Sequence, residues 1–437
     1  MEMKKVVLVF KGFVGASLLS ISVLGGANDA VAQPNIQVFD RFADWCENKN
    51  NLSPEARHTV DVLLAEAGTE NCDRADSTLM NVTQLLLGGS EIVDVRPLST
   101  LTNLTSLVLS GNQISDIQPL ASLTKLESLF LESNQITNIQ SLGGLHNLTW
   151  LSLSGNQVVD VQPLSNLTGL EWLFLDDNQI VDVAPLATLQ NLERLLLSYN
   201  QIVEIGALSA LEKLQNLYLN GNQIEDVQPL SGLRNLAWLE LKENQVMNIQ
   251  PLADLENLRW LGLDDNQIVD VQPLAALSTL KNLYLNGNQI TDVSSLAALT
   301  NLESLVLGDN QIVDIQSLSL LENLTFLVLS GNQIVNVSPL SALVRLERLG
   351  LNDNQIQDVQ PLATLTNLSV LVLSNNQIVD VEPLAALENV GLLSLDHNQI
   401  VDIQPLSQLS RLGLLHLAGN PLSDRSCPVQ PDSICQF

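Results

Sequence analysis

The sequence predicts an α/β repeat solenoid, a right-handed superhelix with a parallel β-sheet on its concave side. Three observations predict it. One pattern recurs every 22 residues in sixteen copies, with no insertion between them. Inside each copy, apolar residues alternate with variable ones, which is the period of a strand with one buried face. Both ends of the periodic part carry an aperiodic segment with two cysteines, where a stack of coils needs its open core covered.

The first segment stands apart from the fold. Lys4, Lys5 and Lys11 precede the uncharged apolar run GFVGASLLSISVLGG (12–26), and Ala30-Val31-Ala32 follows. A basic start, an apolar middle and a small-residue cleavage site make residues 1–32 a secretory signal peptide, cut after Ala32. An uncleaved membrane anchor is the alternative, but the run is short for a span, and no later stretch is long enough to cross a membrane. Cleavage removes three lysines, Glu2 and Asp29 from totals of 19 basic and 48 acidic residues. That leaves 16 against 46, a formal charge of −30. Such a surface repels nucleic acid and anionic membranes and favours a cationic partner. The expected location is secreted, periplasmic or at the cell surface, and the expected state is a monomer.

Residues 33–81 read as a helical N-terminal cap. Ser53-Pro54 is an N-cap followed by proline at N1, and the helical run after it closes at Gly68. Phe39, Phe42 and Cys46 have helical spacing just before it. Residues 82–422 hold the repeats, the last one partial, and residues 423–437 form a C-terminal cap. Cys46 and Cys72 precede the repeats, and Cys427 and Cys435 follow them, which suggests one local disulfide at each end in an oxidising compartment. Neither pair has C-x-x-C spacing and no histidines cluster with them, so zinc and redox chemistry are not expected.

Units begin at Val82, Leu104, Leu126 and every 22nd residue to Leu412, and read approximately L-x-x-L-x-L-x-x-N-Q-I-x-D-[IV]-x-P-L-x-x-L-x-x. Leucines at places 4 and 6 belong to the strand. Asparagine at place 9 occurs in fifteen units, Ser90 being the exception, and its amide can serve backbone groups of its own coil and the next. Ile or Val at places 11 and 14 and Leu at 17 and 20 complete the core. Proline at place 16 presets a short helical or 3₁₀ turn on the convex side. Sixteen strands at about 4.8 Å spacing give a sheet about 75 Å long. Aspartate at place 13 recurs in twelve units. A calcium ladder would need several converging oxygens, so the aspartates are expected to accept backbone hydrogen bonds in the turn.

This unit matches the leucine-rich repeat signature over about four fifths of the chain. Its N-x-I-x-D-[IV]-x-P-L core resembles the repeats of internalins, surface proteins of Gram-positive bacteria. The segments FADWCENKNNLSPEARHTVDVLLAEAGTENC and CPVQPDSICQF resemble the caps of exported cyanobacterial leucine-rich repeat proteins. The resemblance implies extracellular or periplasmic protein binding through the concave face, without enzymatic activity. No sorting motif, wall-binding module or membrane tail follows the repeats, so covalent surface anchoring is not expected.

The variable strand places hold the candidate site. Place 3 carries Trp150, Trp172, Trp238, Trp260 and Phe326, and place 5 carries Phe130, Phe174, Tyr218 and Tyr284. Four of the five tryptophans and two of the three tyrosines therefore lie on one face, concentrated between units 3 and 10. Acids flank them: Glu132, Asp176, Asp177, Glu243, Asp264 and Asp265 at places 7 and 8, and Glu240 at place 5. Large exposed aromatics mark recognition surfaces, whereas cross-strand stacking alone would only stiffen the sheet. The expected ligand is a protein, a basic one by charge. A polysaccharide is the alternative, with rings stacking on sugars, and a structural envelope role comes third. His397 and His416 near Asp396 are too few ligands for a metal site. No triad, phosphate loop or isolated carboxylate pair stands out, so neither a cofactor nor catalysis is expected.

Overall fold

The computed structural model describes residues 38–437, so the expected signal segment and the first residues of the cap lie outside the described residues. Three helices come first: α1 (Phe42–Glu47), α2 (Pro54–Ala67) and α3 (Cys72–Leu79). Ser53 caps α2 by accepting the Ala56 N–H at 3.2 Å, and Gly68 ends it in the left-handed conformation at φ 65°. Phe39 lies outside α1 and packs edge-on against Trp45. The third helix has no counterpart in the sequence reading; Asn71 caps it, accepting the Arg74 N–H at 2.9 Å. A disulfide joins Cys46 in α1 to Cys72 at the start of α3.

From Gln84–Leu86 to Leu414–His416, every unit contributes a three-residue strand at places 3 to 5. Each strand pairs in parallel with the same places one unit on, as in Trp150↔Trp172 and Leu151↔Leu173. The sheet is open and has seventeen strands, not sixteen, because Cys435–Gln436 in the C-terminal cap pairs with the last unit. The second disulfide, Cys427–Cys435, closes that cap. Leucines at places 4 and 6 are buried along the whole stack, and each contributes about 1.5–3 kcal/mol through the water it sheds.

Two columns show how the scaffold satisfies its backbone. Asn178 Nδ2 donates to Leu175 O at 3.1 Å and to Leu153 O of the preceding unit at 3.0 Å, while its Oδ1 accepts from Val158 N at 2.9 Å. The coil served is thus the preceding one, not the next. This explains Ser90: an asparagine in the first unit would have no coil to bind. There the cap takes over, with a His58 ring nitrogen 2.7 Å from Ser90 O and Thr59 Oγ1 donating to Asp94 O at 2.7 Å. Aspartate at place 13 accepts the N–H of place 15, as Asp182 does from Ala184 at 2.8 Å.

The 3₁₀ turn at places 15 to 19 appears in units 1 to 15, shortened in unit 7. It forms even where Ser141, Ala207, Ser295 or Ser317 replaces the proline. Stacking on neighbouring turns therefore suffices to impose it, and proline only lowers the entropy lost.

Candidate binding face

The strand register brings the predicted aromatics together, but as two patches. In the first, Trp150 is the hub. Its ring lies 4.3 Å from Trp172 at 76°, 4.9 Å from Phe130 at 66° and 5.9 Å from Phe174 at 71°, all edge-to-face. Place 5 explains this. Ser152 lies in register between Phe130 and Phe174 and is only 1% exposed, so the rings close over the small side chain between them. Neither Trp150 Nε1 nor Ser152 Oγ has a hydrogen-bond partner there.

In the second patch the rings are stacked. Trp238 and Trp260 lie 4.1 Å apart with planes at 5°, and Tyr218 and Tyr284 flank them at 6.1 and 4.7 Å, each tilted 30°. Trp260 Nε1 donates to Glu240 Oε1 at 2.5 Å. Burial pushes the Glu240 carboxyl and the Tyr218 and Tyr284 hydroxyls above their ordinary ranges. Unit 6 separates the patches, with the exposed Arg194 in register between Trp172 and Asn216. Phe326 joins neither patch; its strand neighbours are Ser304 and Arg348. All nine aromatics are half-buried, and the eight in the two patches cover one another.

The acids divide into classes that the sequence reading merged. Place 7 belongs partly to the scaffold. Asp176 Oδ1 accepts the Ser198 N–H and Asp264 Oδ1 the Asn286 N–H, both at 2.8 Å. Asn220 does the same for Lys242 at 2.8 Å. Each such side chain supplies an acceptor to place 7 of the following unit. Burial raises Asp176 to about 6 and moves Asp264 in the same direction. Glu132 bonds Ser110 Oγ.

Place 8 has positive φ in all sixteen units, from Gly89 to Gly419, including Asp177 at 52°, Glu243 at 57° and Asp265 at 54°. Glycine and Asx residues tolerate that region, which gives Asp177 and Asp265 a conformational reason to be where they are. The signal was present in the sequence, since seven of these sixteen positions are glycine.

Other residues escaped the sequence reading. Tyr199 sits on place 8 at φ 55° with its ring exposed. Place 12 forms an exposed apolar column that includes Val159, Val181, Met247, Val269 and Val313. At the far end, His416 Nδ1 lies 3.6 Å from Asp396, while His397 occupies a place-8 turn. Among the described residues, no three His, Cys, Asp or Glu side chains converge as metal ligands, and no helix is long and apolar enough to cross a membrane.

Comparison with known proteins agrees with this geometry. A family model for leucine-rich repeats (two copies) matches residues 81–122, 102–144, 146–188, 190–232, 278–320, 322–363 and 344–389. An internalin from Listeria monocytogenes is 32% identical, with 84% of this chain and 96% of that one covered and a TM-score of 0.58. A leucine-rich repeat protein of Leptospira interrogans is 29% identical, covering 80% and 93%, with a TM-score of 0.74. The repeat ectodomain of the Arabidopsis receptor kinase HAESA, in complex with a peptide hormone ligand, shares the fold at 23% identity, covering 77% and 66%, with a TM-score of 0.61. No curated protein sequence matches the chain.

Proposed function

The chain belongs to the leucine-rich repeat family, and from that premise we propose that it is a non-enzymatic extracellular or periplasmic binding protein. It recognises a protein partner through the concave face, with Phe130, Trp150, Trp172, Phe174, Tyr218, Trp238, Trp260 and Tyr284 as anchors. Asp176, Asp177, Glu240 and Asp264 supply a negative rim, and Phe326 is an outlying contact. The observation that carries the reading is the gathering of eight aromatic rings into two patches on one sheet face. Nothing in the core requires them, since units without aromatics build the same strands.

A protein fits better than a glycan. A sugar would need open ring faces, and in the second patch the facing sides of Trp238 and Trp260 are occupied by each other. Ring edges and tyrosine hydroxyls remain for a peptide surface to contact. A standard footprint of about 800 Å² per partner fits on a sheet this long. Export through residues 1–32, the negative charge and the two disulfides support a location outside the cytoplasm.

A pull-down from extracellular fractions tests the reading, using the wild type and the triple variant Trp172→Ala, Trp238→Ala, Trp260→Ala. The variant should lose the partner and keep the fold by circular dichroism. Unchanged capture would place the site elsewhere, and binding to polysaccharide arrays alone would favour the glycan.

A further inference from the structure

Along place 5 of units 7 to 10 the register sets Tyr218, Glu240, Gly262 and Tyr284 side by side. Gly262 is buried, and a Cβ there would collide with Glu240 Oε2, so the carboxylate reaches over the glycine. Its other oxygen is held by Trp260 Nε1. Trp238 and Trp260 lie beside this row at place 3, and Lys242 and Asp264 lie on the other side at place 7. The Lys242 ammonium is 3.3 Å from Glu243 and 3.6 Å from Asp265. Among the described residues no lysine or arginine forms an ion pair with Glu240. A carboxylate largely withdrawn from water, held by one indole N–H and with Lys242 acting on it only from beyond ion-pair distance, gains from a cation that can reach it.

Resting on the binding reading above, we propose that Glu240, in the place-5 row between Tyr218 and Tyr284, seats an arginine side chain of the protein partner. Arginine fits better than lysine. Its delocalised guanidinium is more weakly hydrated than an ammonium, so it loses less on entering a half-buried site, and its several N–H donors can reach Oε2 and a tyrosine hydroxyl together. Burial, with Asp264 nearby, moves the Glu240 carboxyl upward despite Lys242, so an approaching cation would be met by a poorly solvated charge.

The test uses the full chain and two pentapeptides, one with a single central arginine and the other with neutral citrulline in its place. Binding is read by tryptophan fluorescence. Glu240→Gln keeps an acceptor for Trp260 Nε1 and removes the charge. The arginine peptide should bind the wild type, and bind Glu240→Gln about tenfold more weakly. The citrulline peptide should bind the wild type about tenfold more weakly than the arginine peptide. A control, Asp309→Asn with Asp353→Asn, removes two exposed acids from place-8 turns elsewhere on the face; its affinity should stay within about twofold. The inference is overturned if Glu240→Gln binds like the wild type, or if citrulline serves as well as arginine. It is equally overturned if the control loses as much as Glu240→Gln, or if the arginine peptide fails to bind at millimolar concentration. The broader reading falls separately: a triple tryptophan variant that still captures the partner sinks both, whereas its loss of capture beside an indifferent Glu240→Gln sinks only the arginine seat.

Discussion

The two aromatic patches rest on the same scaffold and differ in how their rings meet. Around Trp150 the rings are edge-to-face, and around Trp238 and Trp260 they are stacked. Strand register, leucine burial and the asparagine bonds beneath them are the same. What differs is one small residue at place 5. Ser152 lets three rings fold over it, while Gly262 admits the Glu240 carboxylate, which then holds the Trp260 indole. Ring position is a property of the repeat, whereas ring orientation is a property of a single neighbour.

The largest expected effects test whether the scaffolds beneath are equivalent. Asn178→Ala under the first patch and Asn266→Ala under the second each strand one buried N–H and three carbonyls. Each should cost about 3–5 kcal/mol. Urea midpoints should show the two costs within about 1 kcal/mol of each other; a wider gap breaks the premise that only side chains differ.

Next comes pH. The folded-state pKa of Asp176 is about 6, above its ordinary 3.8, with burial as the first cause. The folded protein therefore holds this proton more tightly than the unfolded chain does. Its contribution is neutral near pH 3, and stability falls as pH rises from about 4 to above 6. Asp176→Asn keeps the acceptor for Ser198, as Asn220 does for Lys242. It should stabilise the protein by up to about 2–3 kcal/mol at pH 7.5 and leave it unchanged near pH 3. Melting curves of both proteins at the two pH values decide the matter. A gain independent of pH would refute the assignment. Asp264→Asn, in the second patch, should shift stability in the same sense.

A sharper contrast comes at place 5. Gly262→Ala forces the Glu240 carboxylate aside and breaks its bond from Trp260 Nε1, and should cost about 1 kcal/mol. Ser152→Ala removes a buried hydroxyl that has no partner, and should be neutral or stabilise by up to about 1 kcal/mol. If both changes destabilise alike, the account of why the patches differ is wrong. The smallest effect lies in the seam between them. Tyr199→Asn replaces a bulky residue at φ 55° with one that tolerates the left-handed region, and should gain about 0.5 kcal/mol in thermal melts.

Much of this was legible because a 22-residue period repeats each environment sixteen times. The leucine columns, the asparagine column, the place-13 turn and the strand face carrying the tryptophans all follow from it. The first helix of the cap and Ser53 at the start of the second were readable from spacing and capping chemistry. Less legible were the left-handed place 8, where glycine is diluted by acids that look functional, and the place-12 column, whose valines resemble core. The seventeenth strand was invisible, because two residues of the cap have no periodicity and pair only when the last coil is present.

By itself, then, the sequence determined the solenoid and the face on which its aromatics sit, because burial by stacking admits only one phase of a strict repeat. Only the tertiary structure decided that Arg194 and unit 6 split those aromatics into two patches, and how their rings turn. It also decided that Asp176 bonds the next coil while Glu240 forms no ion pair among the described residues. Those properties come from contacts between residues 20 to 24 positions apart, and a side chain's charge and orientation there depend on what its neighbour in the next coil leaves open.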